Sequence, residues 1–258
     1  MALTPATVEV DFITPRHLAG GGDPAWVTVP LHRACGWSHG SDPLIPRVLL
    51  SSPDQKALLR LEPEPGGPWW TLKHAAEPNR PAWQASFDAR TPVELIAAVT
   101  DALTNPAPTR SAPCDPYEPL RAFGWSPYED DGLLSPDKTA YVERLGPPGR
   151  LKAWLFTTTV AWHQRLWQAR FDEHTPARLV TAFTAALADP TPVARTDGGR
   201  GLATLDPNLI ARRTTDVLAT LVAEVLDERV HTLAARRAMR PTSSMPPRQP
   251  PAQRGHSR

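Results

Sequence analysis

The stretch PAWQASFDARTPVELIAAVTDAL, residues 81–103, returns 84 positions later as RLWQARFDEHTPARLVTAFTAAL. A chain that carries one passage twice folds it twice, so this repeat constrains the architecture more than any composition does. In the first copy Trp83, Ala85 and Phe87 alternate with Gln84, Ser86 and Asp88, and a period of two marks a half-buried strand. The period then changes. Thr91 stands at an N-cap position, Pro92 at the first helical position and Glu94 three residues beyond the cap. Leu95, Val99 and Leu103 share one face, so a helix with a capping box is expected. The second copy offers Trp167, Ala169 and Phe171, then Thr175, Pro176, Leu179, Phe183 and Leu187, with Arg178 in place of the capping glutamate.

The match extends upstream. Trp70 and Leu72 correspond to Trp154 and Phe156, SPDQKALLRLEP to SPDKTAYVERLG, and CGWS to FGWS. RVLLSSPDQKALLRL reads as a hairpin turning at Pro53 and Asp54, and GGPWWTLKH as a strand entered through a Gly-Pro turn. The sequence therefore predicts an α+β fold of two tandem ββββα repeats, each an antiparallel meander covered by its helix. Four short strands and a helix make a small core. Packing two such units together, each covering what the other exposes, is the physical reason for the duplication.

The expected boundaries follow. The first repeat spans residues 8–108 and includes an extra N-terminal strand, marked by the alternation of Val8, Val10 and Phe12. A linker covers 109–119, the second repeat 120–190 and a second linker 191–206. Asp206 and Pro207 read as the cap and start of a C-terminal helix over 207–238, with Ile210, Val217, Leu221 and Val225 on a wide apolar stripe. Residues 239–258 lack periodicity and read as a disordered basic tail.

Charge is distributed unevenly. Residues 229–258 carry seven Arg and no acid, which leaves the first 228 residues with 21 basic against 27 acidic side chains. The body is acidic and the tail basic. No run of 18 apolar residues appears, and MALTPATVEVDF lacks a basic start before an apolar stretch. Neither a transmembrane helix nor a signal peptide is expected, no membrane partner is read, and the expected location is the cytoplasm. Cys35 and Cys114 are too few for a disulfide framework.

PRHLAGGGD, GWS, SPD, the third-strand tryptophan and WQASFDARTPVELIAAVTDAL, followed by the second set, resemble the domain of unknown function, family 317, that streptomycete and related actinobacterial proteins carry in tandem. The resemblance covers residues 8–190. It implies an actinobacterial cytosolic protein with two copies of the domain and no established catalytic residues. The second copy departs from the pattern in lacking the PRHLAGGGD entry.

The second copy also serves as a control on each reactive-looking group. GWSHG, residues 36–40, fits the G-x-S-x-G pattern of a hydrolase nucleophile, but that motif needs a buried strand before the serine and a helix after it. The related passage reads GWSPY, so Ser38 is read as part of a turn with a buried tryptophan above it. His32, Cys35, His39 and Asp42 have zinc-ligand spacing, yet the positions of His32, Cys35 and His39 become Leu120, Phe123 and Pro127 in copy two. Cys35 is accordingly read as a core residue, and no metal or other cofactor is expected. GGGD at 20–23 lacks the G-K-[ST] ending of a phosphate loop and reads as a flexible loop. The acidic turn Tyr128–Asp131 lacks calcium-loop spacing and reads as solvated. Trp37, Trp70 and Trp83 pair with Trp125, Trp154 and Trp167, as core aromatics would, whereas Trp69 and Trp162 have no counterparts.

These signs argue against an enzyme, with a hydrolase using GWSHG as the remaining alternative, and favour a binding protein. Trp69 falls on the opposite strand face from Trp70, with Lys73 beside it and Lys56 and Arg60 on a neighbouring strand. Together with Arg170 and the tail residues Arg236, Arg237 and Arg240, they form the candidate surface for single-stranded nucleic acid, an analogy to the topology of Whirly-type binders. The alternative partner is another protein, held by the apolar C-terminal helix.

Overall fold

The computed structural model describes residues 5–42, 45–105, 114–129, 131–147, 149–160 and 164–239. In chain order β1 (Thr7–Thr14) leads through a short 3-10 turn, Arg16–Leu18, to α1 (Ala25–Arg33). The first meander follows as β2 (Ser38–Asp42), β3 (Ile45–Ser51), β4 (Ala57–Leu61), β5 (Trp70–His74) and β6 (Trp83–Phe87), closed by α2 (Val93–Thr104). The second opens with α3 (Glu118–Ala122) and runs through β7 (Ser126–Tyr128), β8 (Gly132–Leu134), β9 (Ala140–Leu145), β10 (Ala153–Val160) and β11 (Gln164–Asp172) to α4 (Ala177–Ala188). Then come β12 (Val193–Arg195), β13 (Ala211–Leu218) and α5 (Ala219–Ala238).

Two tandem α+β repeats are present, as the duplicated sequence requires. Each gains a fifth strand, β2 or β7, from the residues at and after Gly-Trp-Ser. Their sheets fuse into one antiparallel sheet ordered β2-β3-β4-β5-β6-β11-β10-β9-β8-β7. The junction is self-complementary: Ala85 pairs with Phe171 and Phe87 with Ala169, so Ser86 and Arg170 face each other at its centre. This is the pairing expected at a twofold axis between two copies of one strand.

One face of the sheet is buried. Leu59, Leu72, Ala85, Phe87, Ala169, Phe171, Phe156 and Val142 belong to a single apolar core with Leu95 and Val99 of α2 and Leu179 and Phe183 of α4. Phe183 lies 5.9 Å from Phe87 of the other repeat, 4.8 Å from Phe156 and 5.2 Å from Phe171, measured between ring centroids. The core thus crosses the junction, and the six paired tryptophans are all buried in it.

Several sequence expectations need correction. The C-terminal helix begins at Ala219, not at 207. Asp206 initiates a single turn, its backbone carbonyl accepting from Leu209 and Ile210, and the chain then extends as β13. The cause is β1, which forms the centre of a separate sheet ordered β12-β1-β13 rather than joining a repeat. Without β13, one edge of β1 would lack hydrogen-bond partners and the buried Asp11 would lack its own. Arg212 donates to Asp11 through Nε and Nη2, both at 2.8 Å, and Thr214 through Oγ1 at 2.6 Å. Likewise the linker predicted over 191–206 contains β12 and the buried Arg195.

Thr91 is not a capping side chain either, since its buried hydroxyl has no hydrogen-bond partner. Glu94 does not close a capping box but binds Arg195 at 2.7 and 3.0 Å. Nor is the glycine run a flexible loop. The Gly21 carbonyl accepts from Val93 N at 2.8 Å, and a Cβ on Gly20, at φ +72°, would lie 2.5 Å from the Gly201 oxygen. The expected tail beyond Met239 and the unmatched Trp162 lie outside the described residues.

Candidate functional site

The outer sheet face is where the sequence placed its nucleic-acid surface. Strand register aligns one row of residues across all ten strands, from Gly40 to Tyr128 by way of Arg60, Thr71, Ser86, Arg170 and Glu143. Arg60 and Arg170 are three strands apart in this row, about 14 Å at the usual strand spacing. Lys73 occupies the neighbouring row between Leu58 and Gln84. Trp69 adjoins the start of β5 and is 37% exposed. Arg60, Lys73 and Arg170 therefore share a face.

Two of those cations have carboxylate partners. Lys56 Nζ meets Glu77 at 2.5 Å, a contact that raises the lysine pKa and lowers the glutamate's, and Arg60 meets Glu62 at 3.1 Å. Lys73 and Arg170 have none among the described residues. Glu143, in the same row as Arg60 and Arg170, adds negative charge, and burial raises its pKa. The arginines near the C-terminus divide similarly. Arg237 donates to the Ala34 carbonyl at 2.9 Å and so ties α5 to the end of α1, Arg236 is exposed, and Arg240 is outside the described residues.

The other candidates lie apart from this face. Ser38 opens the extended strand β2, and its hydroxyl reaches the Ser51 carbonyl at 3.4 Å, a placement unlike a strand-to-helix elbow. His32 Nδ1 is 2.8 Å from the Trp37 carbonyl, His39 is exposed, and Cys35 is buried beneath them. Burial raises the Cys35 thiol pKa, which keeps it a thiol. Among the described residues, no three His, Cys, Asp or Glu side chains group as metal ligands do. No described helix is long and apolar enough to cross a membrane.

A second surface involves α5. Its C-terminal half is docked: Val230 and Leu233 are buried, and Arg229 donates to Asp101 at 2.9 and 3.1 Å and to the Trp26 carbonyl at 2.9 Å. Its N-terminal half stands over a groove of about 480 Å³ walled by Val10, Phe12, Trp26, Val193 and Val217. Leu221 is 49% and Val225 53% exposed there, and Leu218 is exposed beside them. The sequence showed the apolar stripe of this helix but not that β1 would supply the facing wall. The alternation of Val8, Val10 and Phe12 identified the strand without its partner.

Two meanders related about Ser86 and Arg170, sharing one sheet and one core, define a tandem-repeat α+β protein. The family model of SPDY, a domain of unknown function (DUF317), matches it over residues 51–109 and again over 134–193, so each repeat is similar to that domain over those residues. Each matched span runs from within the meander through the long helix, leaving β1, α1, β13 and α5 outside. No match to a curated protein or to a solved structure was found.

Proposed function

We propose that this chain is a non-catalytic protein-interaction module that uses the N-terminal half of α5 and the groove beneath it. The supporting observation is the half-exposure of Leu221 and Val225 above the apolar wall of Val10, Phe12 and Val217. A helix whose other half is packed and salt-bridged holds such an apolar face in place for a partner. The reading is tested by affinity capture with the full chain and with a Leu221→Asp, Val225→Asp double variant of unchanged melting temperature. A specific partner retained by the parent and lost by the variant supports it, and identical capture by both rejects it.

A second reading, single-stranded nucleic acid on the outer sheet face, is supported by Lys73 and Arg170, which lie there without carboxylate partners among the described residues. The acidic pairing of Lys56 and Arg60 weighs against it, because phosphate binding needs concentrated positive charge. Oligonucleotide anisotropy across a salt series tests it. Salt-dependent affinity that falls in a Lys73→Ala, Arg170→Ala variant supports it, and no binding retires it.

A further inference from the structure

The two halves differ at one pair of related places. In each, a cleft opens between the tryptophan of the last strand and the two ends of the long helices. In one of them lies the arm that follows β1. The Trp167 indole N–H donates to the His17 carbonyl at 2.8 Å, Arg16 donates to the Ala186 carbonyl at 3.1 Å and to Asp189 at 2.7 Å, and Val93 N donates to the Gly21 carbonyl at 2.8 Å. Arg195 closes the cleft by binding Glu94 and the carbonyls of Ala19 and Gly20.

The related cleft is centred on Trp83, the counterpart of Trp167. It is a cavity of about 470 Å³ lined by His74, Arg80, Trp83, Leu103, His174 and Arg178, with no arm in it among the described residues. Among the described residues Trp83 donates no hydrogen bond there and instead stacks on His74, with ring centroids 5.5 Å apart and planes 7° from parallel. The local charge is reversed as well: Arg178 stands where the other half has Glu94.

Arg178 donates to the Ala102 carbonyl, as Arg16 does to the related Ala186. No carboxylate meets Arg178 among the described residues, and burial, then the nearby Arg80 charge, lowers its pKa. Glu77, the one acid lining the cavity, is engaged by Lys56. Arg178 also reaches the Asn105 carbonyl at 3.4 Å, and a half-buried guanidinium beside a second cation, with only carbonyls as acceptors, is a place where an anion is favoured.

We propose that this cleft is the docking site for an extended peptide segment of another chain, lying as the arm lies in its counterpart and placing a carboxylate side chain between Arg80 and Arg178. The filled cleft shows that the scaffold accepts main chain at this position, and Trp83 offers the same indole donor. The occupant comes from another chain because PAPTRSAP, residues 106–113, and the tail from Arg240 onward contain no acidic residue. The cleft shares no residue with the α5 groove and stands independently of the function proposed for that groove.

The test uses the full chain with fluorescein-labelled peptides: residues 14–22 as they stand, TPRHLAGGG, and the same peptide carrying Arg16→Glu. Anisotropy should show the glutamate peptide binding roughly tenfold or more tighter than its parent. Arg80 makes no side-chain hydrogen bond or ion pair among the described residues and is exposed, so Arg80→Glu should fold normally and abolish or invert that preference. Arg178→Gln should weaken the glutamate peptide. The proposal is overturned if neither peptide binds, if Arg80→Glu leaves the preference intact, or if millimolar inorganic phosphate displaces the peptide completely, which would make the cleft a site for small anions only.

Discussion

Asp88 and Asp172 occupy the same position in the two repeats, and each carboxylate accepts the main-chain N–H of a glutamine in the other repeat. Asp88 takes that of Gln168 at 2.9 Å, and Asp172 that of Gln84 at 2.6 Å. These reciprocal bonds flank the pairing of Ser86 with Arg170 and extend the ladder beyond its last strand residues. A closed twofold interface between separate subunits has this form, and here it lies within one chain.

Removing Asp88 leaves a partly buried N–H of the opposite repeat without an acceptor. Asp88→Ala should cost about 1–3 kcal/mol, and Asp172→Ala, which also takes the acceptor from His174 N and Thr175 Oγ1, a similar amount. Urea unfolding midpoints at unchanged slope measure both.

Asp11 links stability to pH. The hydrogen bond from Arg212 lowers its pKa and outweighs the burial that would raise it, with help from Thr214 and the Arg212 charge. A carboxylate held below its unfolded value of about 4 contributes stability that is complete above that pH and is lost as pH falls toward the folded value. The parent protein should therefore lose stability on acidification below about pH 4, and part of that slope should be missing in Asp11→Ala. At neutral pH the variant should be less stable than the parent, since it removes the acceptor shared by Arg212 and Thr214, both of which stay accessible to water.

Glu94 and Arg195 hold the arm through a pair in which the arginine side chain is 7% exposed. Glu94→Ala should cost about 3–5 kcal/mol because the guanidinium remains buried without its carboxylate. Adding Arg195→Met removes the unpaired charge but also orphans the Ala19 and Gly20 carbonyls, so it should restore only part of the loss. Limited proteolysis between Arg16 and Gly22 reports whether the arm has left its cleft.

What the sequence made legible was local. The change from period two at Trp83–Phe87 to a helical period at Val93–Leu103 located strand and helix in both copies, and matched tryptophans proved to be core. What it hid was long-range pairing. Val217 and Leu218 fall in helical phase with Leu221 and Val225, so β13 was absorbed into the helix, while its partner β1 lies about two hundred residues away. Glu94 matched a capping pattern, yet its partner is Arg195, 101 positions on. At the candidate surface, the alternation put Lys73 and Arg60 on one strand face, which is how the register of β4 and β5 has them. Glu62, two residues past Arg60 and on the same strand face, was the readable sign that this charge was already answered. The substitution of Arg178 for Glu94 between copies was visible from the start, but only the arm filling one cleft gave it meaning.

The central claim, that two repeats form one folding unit across the Ser86–Arg170 junction, is tested most directly by calorimetry of the full chain and of Phe183→Ala. Phe183 touches phenylalanines of both repeats, so the substitution should cost about 3–5 kcal/mol and shift the whole unfolding transition. A single transition in both proteins, with calorimetric and van't Hoff enthalpies equal, is the predicted result. Two resolved transitions, with Phe183→Ala lowering only one of them, would contradict it.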